Sequence, residues 1–168
     1  DNSEPQMNAY LGSASEIYCT SDEIFVSQTK HSYWTQNEQV YVKDSDGVAF
    51  TSVTKIHRMS ITSDGTVYNG NVTVGGMCIN QFSMDKNGDY FRIATNGIRE
   101  DDKRYETMVY VIDKDMNIVG RLKGIAPGED MKSARFLGNA LYLVTFMQTD
   151  PLFVIDLSDP ANPVIKGE

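Results

Sequence analysis

The segment from residue 85 to residue 89 carries residue types that could bind a metal. Residues with side-chain oxygen atoms occupy every second position: Asp85, Asn87 and Asp89. These are the first, third and fifth positions of a possible calcium loop. The twelfth position of such a loop calls for a carboxylate, and Asn96 stands there instead. The alternative is a hairpin turn in which Asn and Gly adopt left-handed backbone conformations. The pattern favours the turn, so calcium is the single cofactor candidate and no other cofactor is predicted.

A second candidate segment is polar and aromatic. His31, Tyr33 and Trp34 follow one another closely among Ser, Thr, Gln and Asn residues. Aromatic rings that are exposed among hydrogen-bonding groups suit contact with a sugar or a protein. The alternative is an irregular crossover in which Trp34 packs on a neighbouring sheet. These three residues are the binding-site candidates.

The sequence offers no catalytic residue set. His31 and His57 are the only histidines, and no paired-histidine, Cys-x-x-Cys or triad-like cluster accompanies them. No catalytic residue is therefore predicted, and no metal ligand beyond the weak calcium candidates. Cys19 and Cys78 are expected to be buried free thiols, with a single disulfide as the alternative.

Charge and hydropathy limit the function classes. The formal net charge of −8 over 168 residues disfavours a nucleic-acid footprint, which needs a positive face. No apolar stretch approaches the roughly 20 residues of a membrane-spanning helix. Because the chain begins at Asp1 without Met, we expect a mature, processed or truncated product.

Short strands separated by turns predict an all-β chain. Two segments repeat: VIDKDMNIVG at 111–120 matches VIDLSDPANPVIKG at 154–167, and FRIAT at 91–95 matches LYLVT at 141–145. Each unit then holds four strands in about 40–50 residues, which is the period of a β-propeller blade. A weaker first copy precedes the other two.

These repeats predict one partial β-propeller domain over 1–168, with about three four-stranded antiparallel blades. The blades are placed at 15–76, 80–124 and 133–168, and the first contains an insert at 29–52. The residues expected in the core are Ile24, Val26, Phe82, Ile93, Val109, Val111, Phe136, Leu141, Leu143, Phe153 and Ile155.

The runs NQFSMDKNGDYFRIAT at 80–95 and IAPGEDMKSARFLGNALYLVTFMQTDPLFVIDLSDPANP at 125–163 resemble a family of secreted bacterial and archaeal β-propellers, distantly related to WD40 repeats. The resemblance covers about residues 10–168. It implies a secreted or cell-surface propeller and assigns no reaction. Members of that family are longer and close a full ring of blades. The resemblance therefore also implies that this chain holds about three blades of such a ring.

Two functions follow as hypotheses. The first is a non-catalytic extracytoplasmic module that serves as a protein- or glycan-binding or scaffolding platform. The alternative is a propeller-type hydrolase of glycans or peptides, with a carboxylate site at the ring channel. The expected partners are a protein or glycan ligand, and either a second copy of the chain or the remaining blades of a longer chain. No nucleic-acid partner and no membrane span are predicted.

Overall fold

The computed structural model describes residues 13–101, 103–146 and 151–168, so Asp1 lies outside the described residues. Sixteen strands follow in chain order: β1 (Glu16–Cys19), β2 (Glu23–His31), β3 (Tyr33–Trp34), β4 (Gln39–Val40), β5 (Val42–Lys43), β6 (Ala49–Phe50), β7 (Ser52–Thr62), β8 (Gly65–Gly75), β9 (Met84–Asn87), β10 (Tyr90–Ile98), β11 (Tyr105–Ile112), β12 (Ile118–Ile125), β13 (Asp130–Leu137), β14 (Ala140–Phe146), β15 (Leu152–Asp156) and β16 (Val164–Gly167). A 3-10 turn at Gln81–Ser83 accompanies them. No helix in this part of the chain is long and apolar enough to cross a membrane.

The strands form three four-stranded antiparallel sheets. The first sheet has the order β1-β2-β7-β8, the middle sheet contains β9 to β12, and the last sheet contains β13 to β16. The middle and last sheets are meanders in which sequential strands pair, whereas in the first sheet β2 pairs with β7, because the insert with β3 to β6 lies between them. The predicted all-β fold with about three four-stranded antiparallel blades is confirmed.

Short turns with glycine set the register of two hairpins. Gly88 (φ +58°) lies between β9 and β10, and Gly138 (φ +57°) lies between β13 and β14. Asn87 pairs with Tyr90 across the first of these turns. A two-residue loop of this kind needs left-handed backbone, which Gly adopts without steric cost.

Two apolar cores lie between the three sheets. The first joins the first and middle sheets, where the rings of Phe25 and Phe91 stack with centroids 4.1 Å apart. The second joins the middle and last sheets through residues such as Val109 and Leu143. Both faces of β10 and β11 are therefore buried.

The core prediction is correct for seven residues and wrong for one. Those confirmed as buried are Ile93, Val109, Val111, Leu141, Leu143, Phe153 and Ile155. The prediction that Phe82 is buried is wrong, because this residue lies in the 3-10 turn and is 50% exposed. Ile24, Val26 and Phe136 are half-buried. In β2 the buried face carries Glu23, Phe25 and Ser27, so the polar residues point inward and the apolar Ile24 and Val26 lie on the other face.

The insert joins the first sheet to the middle sheet. Its outer hairpin pairs β3 with β4, and its inner hairpin pairs β5 with β6. The inner hairpin docks on the middle sheet, since the amide of Glu100 donates to the carbonyl of Ala49 (3.0 Å) and Arg121 forms a salt bridge with Asp46. Phe50 is fully buried by this docking.

Candidate functional site

An open cleft of about 500 Å³ lies where the insert and the three sheets meet. We call it the rim cleft. The rim cleft is lined by strand ends and one link: the end of β2, the start of β7, the link that follows β8, the facing ends of β10 and β11, and the start of β13. Its lining residues are His31, Ser32, Thr51, Ser52, Met77, Ile79, Asn96, Gly97, Tyr105, Asp130, Met131 and Lys132.

Backbone contact between the first and middle sheets builds the floor of the rim cleft. The amide of Met77 donates to the carbonyl of Asn96 (2.8 Å), and the amide of Asn96 donates back to Met77 (3.0 Å). A Cβ atom on Gly97 would lie 2.7 Å from the Cα atom of Gly76. Glycine at 97 is therefore what allows the two backbones to approach closely enough for these bonds.

Asn96 presents a fixed hydrogen-bond acceptor at the cleft. Its Nδ2 group donates to the carbonyl oxygens of Glu106 (3.1 Å) and Glu129 (3.5 Å) and to Oγ1 of Thr107 (3.3 Å). Two of these partners are carbonyls, which only accept, so the orientation of the amide is determined. Within the described residues the Oδ1 atom has no partner, which leaves it available to a ligand.

The structure brings one of the three predicted binding residues into the rim cleft. His31 is exposed and lines the cleft. Tyr33 and Trp34 lie on β3 of the outer insert hairpin, 59% and 75% exposed, and do not line it. Trp34 is thus not packed on a neighbouring sheet. These two exposed rings follow Ser32 directly in the chain, at the edge of the cleft, and as successive strand residues they point to opposite faces of the hairpin.

The ionisable groups of the rim cleft nearly cancel in charge. Asp130 is its one carboxylate among the described lining residues, and Lys132 lies 3.4 Å from it. The cleft thus combines a charge pair with hydroxyl groups, an amide oxygen and the apolar side chains of Met77, Ile79 and Met131. It can bind a neutral or weakly charged polar ligand that also carries apolar groups.

Both cysteines are free, as predicted, but they differ in burial. Cys78 lies in the link behind the cleft floor, where burial raises the pKa of its thiol to about 12. It is therefore protonated at neutral pH and is a poor nucleophile. Cys19 is exposed, so the expectation that it is buried is wrong. It lies on β1, the edge strand of the first sheet.

The calcium candidates are held by protein contacts. Asp85 lies in β9 and pairs with Arg92, whose Nε atom is 2.9 Å from its carboxylate. The Nδ2 group of Asn87 donates to the carbonyl of Gly138 (3.0 Å), and Asp89 occupies the hairpin turn. No three His, Cys, Asp or Glu side chains in the described ranges are grouped so that they could hold a metal ion.

Sequence analysis missed four residues that line the rim cleft: Met77, Asn96, Tyr105 and Asp130. In the structure they come from the link, from the middle sheet and from the first strand of the last sheet, so no local motif joins them. The one signal available was positional. Each lies in the link or near the end of a strand of the structure, and such positions of neighbouring blades meet at the rim of a propeller.

Comparison with known proteins identifies the fold family. The sequence matches the beta propeller domain family over residues 1–168. The chain belongs to this family. This confirms the resemblance to β-propellers stated from the sequence, and it makes each sheet of the propeller domain a blade.

Two archaeal relatives share part of this propeller domain. An uncharacterized protein of Methanocaldococcus jannaschii is 42% identical over 96 residues, which is 56% of this chain and 15% of the relative. An uncharacterized protein of Archaeoglobus fulgidus is 41% identical over 96 residues, which is 57% of this chain and 15% of that relative. The match thus spans about a seventh of either relative. No solved structure matches the chain significantly.

Proposed function

We propose that the chain is a non-catalytic binding module of an extracytoplasmic protein, and that the rim cleft takes an extended segment of a protein partner. The observation that carries the proposal is the convergence of the insert and three blades on one open cleft. Loops and strand ends on a rigid scaffold commonly carry binding residues.

The composition of the rim cleft favours a protein ligand over a glycan. Met77 and Met131 supply flexible apolar surface, which adapts to varied side chains. The Oδ1 atom of Asn96 supplies an acceptor that suits a peptide amide. Tyr33 and Trp34 lie next to the cleft on the outer insert hairpin, and exposed Trp and Tyr side chains often dominate the energy of protein interfaces.

A hydrolase remains the alternative. A glycosidase of the usual kind needs two carboxylates about 5–10 Å apart. In the rim cleft the described lining residues contribute one carboxylate, Asp130, which Lys132 neutralises. No specific observation on the described residues favours the alternative.

The extracytoplasmic location rests on the resemblance to secreted propellers and on the net charge of −8, which favours solubility. Surface biotinylation of intact source cells, followed by detection of the full-length protein, tests it. Labelling at the level of a known surface protein is expected. Labelling only after cell lysis would contradict it.

Binding is tested by screening the chain in parallel on a displayed library of random dodecapeptides and on a glycan array. We expect enrichment of peptides. Calorimetry with an enriched peptide should show affinity at least about tenfold lower for Met77→Ala or Trp34→Ala, since interface anchors each contribute more than about 1 kcal/mol. Tyr142→Ala, on the last blade away from the cleft, is the matched control and should bind normally.

Two results would overturn the proposal of a protein ligand. Binding only to glycans would replace the ligand class, and the absence of any enriched peptide or glycan would argue against a binding module. Equal affinities for the wild type and for both cleft variants would place the binding site elsewhere.

A further inference from the structure

A second pocket lies where the first strands of the three blades meet. It has a volume of about 360 Å³ and is lined by β1, β13, and the 3-10 turn with the start of β9. The 3-10 turn contacts both β1 and β13. We call this space the inner-strand pocket. It shares no lining residue with the rim cleft.

The inner-strand pocket carries one uncompensated positive charge. Asp85 lines the pocket, and its carboxylate is already paired with the buried guanidinium of Arg92. Arg135 also lines the pocket, and no described carboxylate lies within salt-bridge distance of it. In a chain whose net charge is −8, a cationic pocket is opposite in sign to the protein as a whole.

The Arg135 guanidinium is held in place by two contacts. It stacks over the ring of Phe82 at 4.1 Å from the centroid, and its Nη1 group donates to the carbonyl of Ala134 (2.8 Å). A guanidinium has five N–H donors, so most of them stay available. Immobilising the cation before a ligand arrives reduces the entropy cost of binding.

The position of Phe82 is also fixed. The amide of Phe82 donates to Oδ1 of Asn80 (3.0 Å), and the amide of Ser83 donates to the carbonyl of Asn80 (3.0 Å). These bonds hold the ring at the surface, half exposed, instead of in the core. The 3-10 turn therefore accounts for the departure of Phe82 from the predicted core, and the exposed ring supports the Arg135 guanidinium.

We propose that the inner-strand pocket binds a carboxylate attached to an apolar side chain or to the C–H face of a sugar ring. A planar carboxylate matches the fork of the Arg135 guanidinium and accepts two hydrogen bonds from it. A single positive charge beside Asp85 suits a monoanion better than a phosphate dianion. Ile17, Met84 and Phe136 supply apolar walls for the remainder of the ligand. The carboxylate belongs either to a peptide terminus or to an acidic sugar.

The test is a titration of the isotope-labelled 168-residue chain, followed by NMR. The probes are N-acetylphenylalanine and its neutral amide, and glucuronate and neutral glucose. We expect one of the acids to shift the amide signals of β9 and β13 in a saturable manner. The neutral analogue should bind at least about tenfold more weakly, because a charge-assisted hydrogen bond is lost.

Single substitutions test whether the acid binds at Arg135. Arg135→Gln should weaken acid binding at least about tenfold, and Phe82→Ala should weaken it less, since it removes only the stacking platform. Arg121→Gln is the matched control, because it removes the same charge from β12, an edge strand of the middle blade that does not line the pocket. We expect it to leave acid binding unchanged within about twofold.

The same titration distinguishes a carboxylate of a peptide terminus from that of an acidic sugar. Binding of N-acetylphenylalanine alone indicates a peptide carboxylate, and binding of glucuronate alone indicates an acidic sugar. Failure of both acids to give saturable shifts would overturn the proposal, and so would equal binding of acid and neutral analogue. The comparison of acid with neutral analogue uses the wild-type chain, so it decides the question even if Arg135→Gln does not fold.

Discussion

The middle and last blades are built from similar sequences but are buried differently. In β10 every residue from Phe91 to Gly97 is buried, on both faces of the strand. In β14 the buried residues Leu141, Leu143 and Thr145 alternate with more exposed ones. The exposed face of β14 nevertheless carries Tyr142, Val144 and Phe146. The difference therefore lies in the neighbours, because the middle blade is packed between two blades and the last blade contacts one.

This comparison explains why the outer face of the last blade is apolar. Strands that are buried on both faces lack the usual alternation of apolar and polar residues. Tyr142 pairs with Val154, and Val144 pairs with Leu152, so these side chains form one continuous face. Such a face suits packing against another blade. We therefore propose that either a further blade or a second copy of the chain covers it.

The largest expected effect is at the packed interface of the first and middle blades. Phe91 is 2% exposed and stacks on Phe25. Phe91→Ala should lower the free energy of unfolding by about 3–5 kcal/mol. Tyr142→Ala, on the open face, should cost less than about 1 kcal/mol. Urea denaturation followed by circular dichroism measures both, and equal losses would remove the distinction between packed and open faces.

A smaller effect is expected from the two ion pairs of Glu23, one with Arg58 of the same blade and one with Lys86 of the middle blade. Glu23 is buried, with its Oε1 atom 2.5 Å from Nε of Arg58 and its Oε2 atom 2.6 Å from Nζ of Lys86. Because both cations are partly solvated, Glu23→Gln should cost about 2 kcal/mol. This value lies between about 1 kcal/mol for an exposed pair and 3–5 kcal/mol for a fully buried one.

The matched control for Glu23→Gln is Asp130→Asn, which breaks the exposed pair with Lys132. It should cost less than about 1 kcal/mol in the same urea titration. A cost for Glu23→Gln no larger than that of the control would mean that the ion pairs of Glu23 contribute little to the stability of the fold.

Open apolar faces should make the isolated chain associate. Monomers seldom expose apolar patches beyond roughly 300–600 Å², and both terminal blades present apolar side chains such as Ile17 and Phe146. We expect concentration-dependent dimers in sedimentation velocity. Phe146→Lys should weaken the dimer, whereas Val119→Lys, on the middle blade, should not. A chain that stays monomeric at high micromolar concentration would show that its open faces do not associate.

The smallest effect concerns the turn after β11. Burial raises the pKa of Asp113, but hydrogen bonds from Asn117 and Asp115 outweigh this and hold the pKa below its usual value. A lowered pKa means that the carboxylate stabilises the fold above its ordinary titration range near pH 3.8. This stability is lost as the pH falls through the folded-state pKa.

Asp113→Asn should therefore reduce stability by less than about 1 kcal/mol at neutral pH. The difference between variant and wild type should shrink as the pH falls below about 4. Urea titrations of both proteins between neutral and acidic pH measure it. A difference that does not change with pH would show that the charge of Asp113 plays no part in the turn.

The sequence predicted the strands well because their composition and turns are local properties. Gly88 and Gly138 marked two hairpin turns, and the repeat period indicated the number of blades. The expectation that an Asn would adopt a left-handed conformation beside Gly88 is wrong, because Asn87 is the last residue of β9 and pairs with Tyr90. It was harder to predict which face of a strand packs against the neighbouring blade. In β2 the packed face carries Glu23 and Ser27, and only the presence of Arg58 and Lys86 on neighbouring strands makes a buried carboxylate acceptable.

The candidate sites were harder to predict than the fold. His31 was identified because it lies in a polar, aromatic segment, but its partners across the rim cleft come from distant parts of the chain. Phe82 was assigned to the core on its residue type alone. The 3-10 turn, which holds its ring at the surface, and Arg135, on which the ring stacks, are tertiary features.

Native-state hydrogen exchange of dilute chain tests most directly the claim that the middle blade is packed between two others. Amides of β10 and β11 should be the most protected and should exchange only on global unfolding. Amides of β1 and β16, the edge strands of the terminal blades, should exchange through local opening at much lower free energy. Equal protection in all three blades, or slower exchange in β1 and β16 than in β10 and β11, would contradict this arrangement.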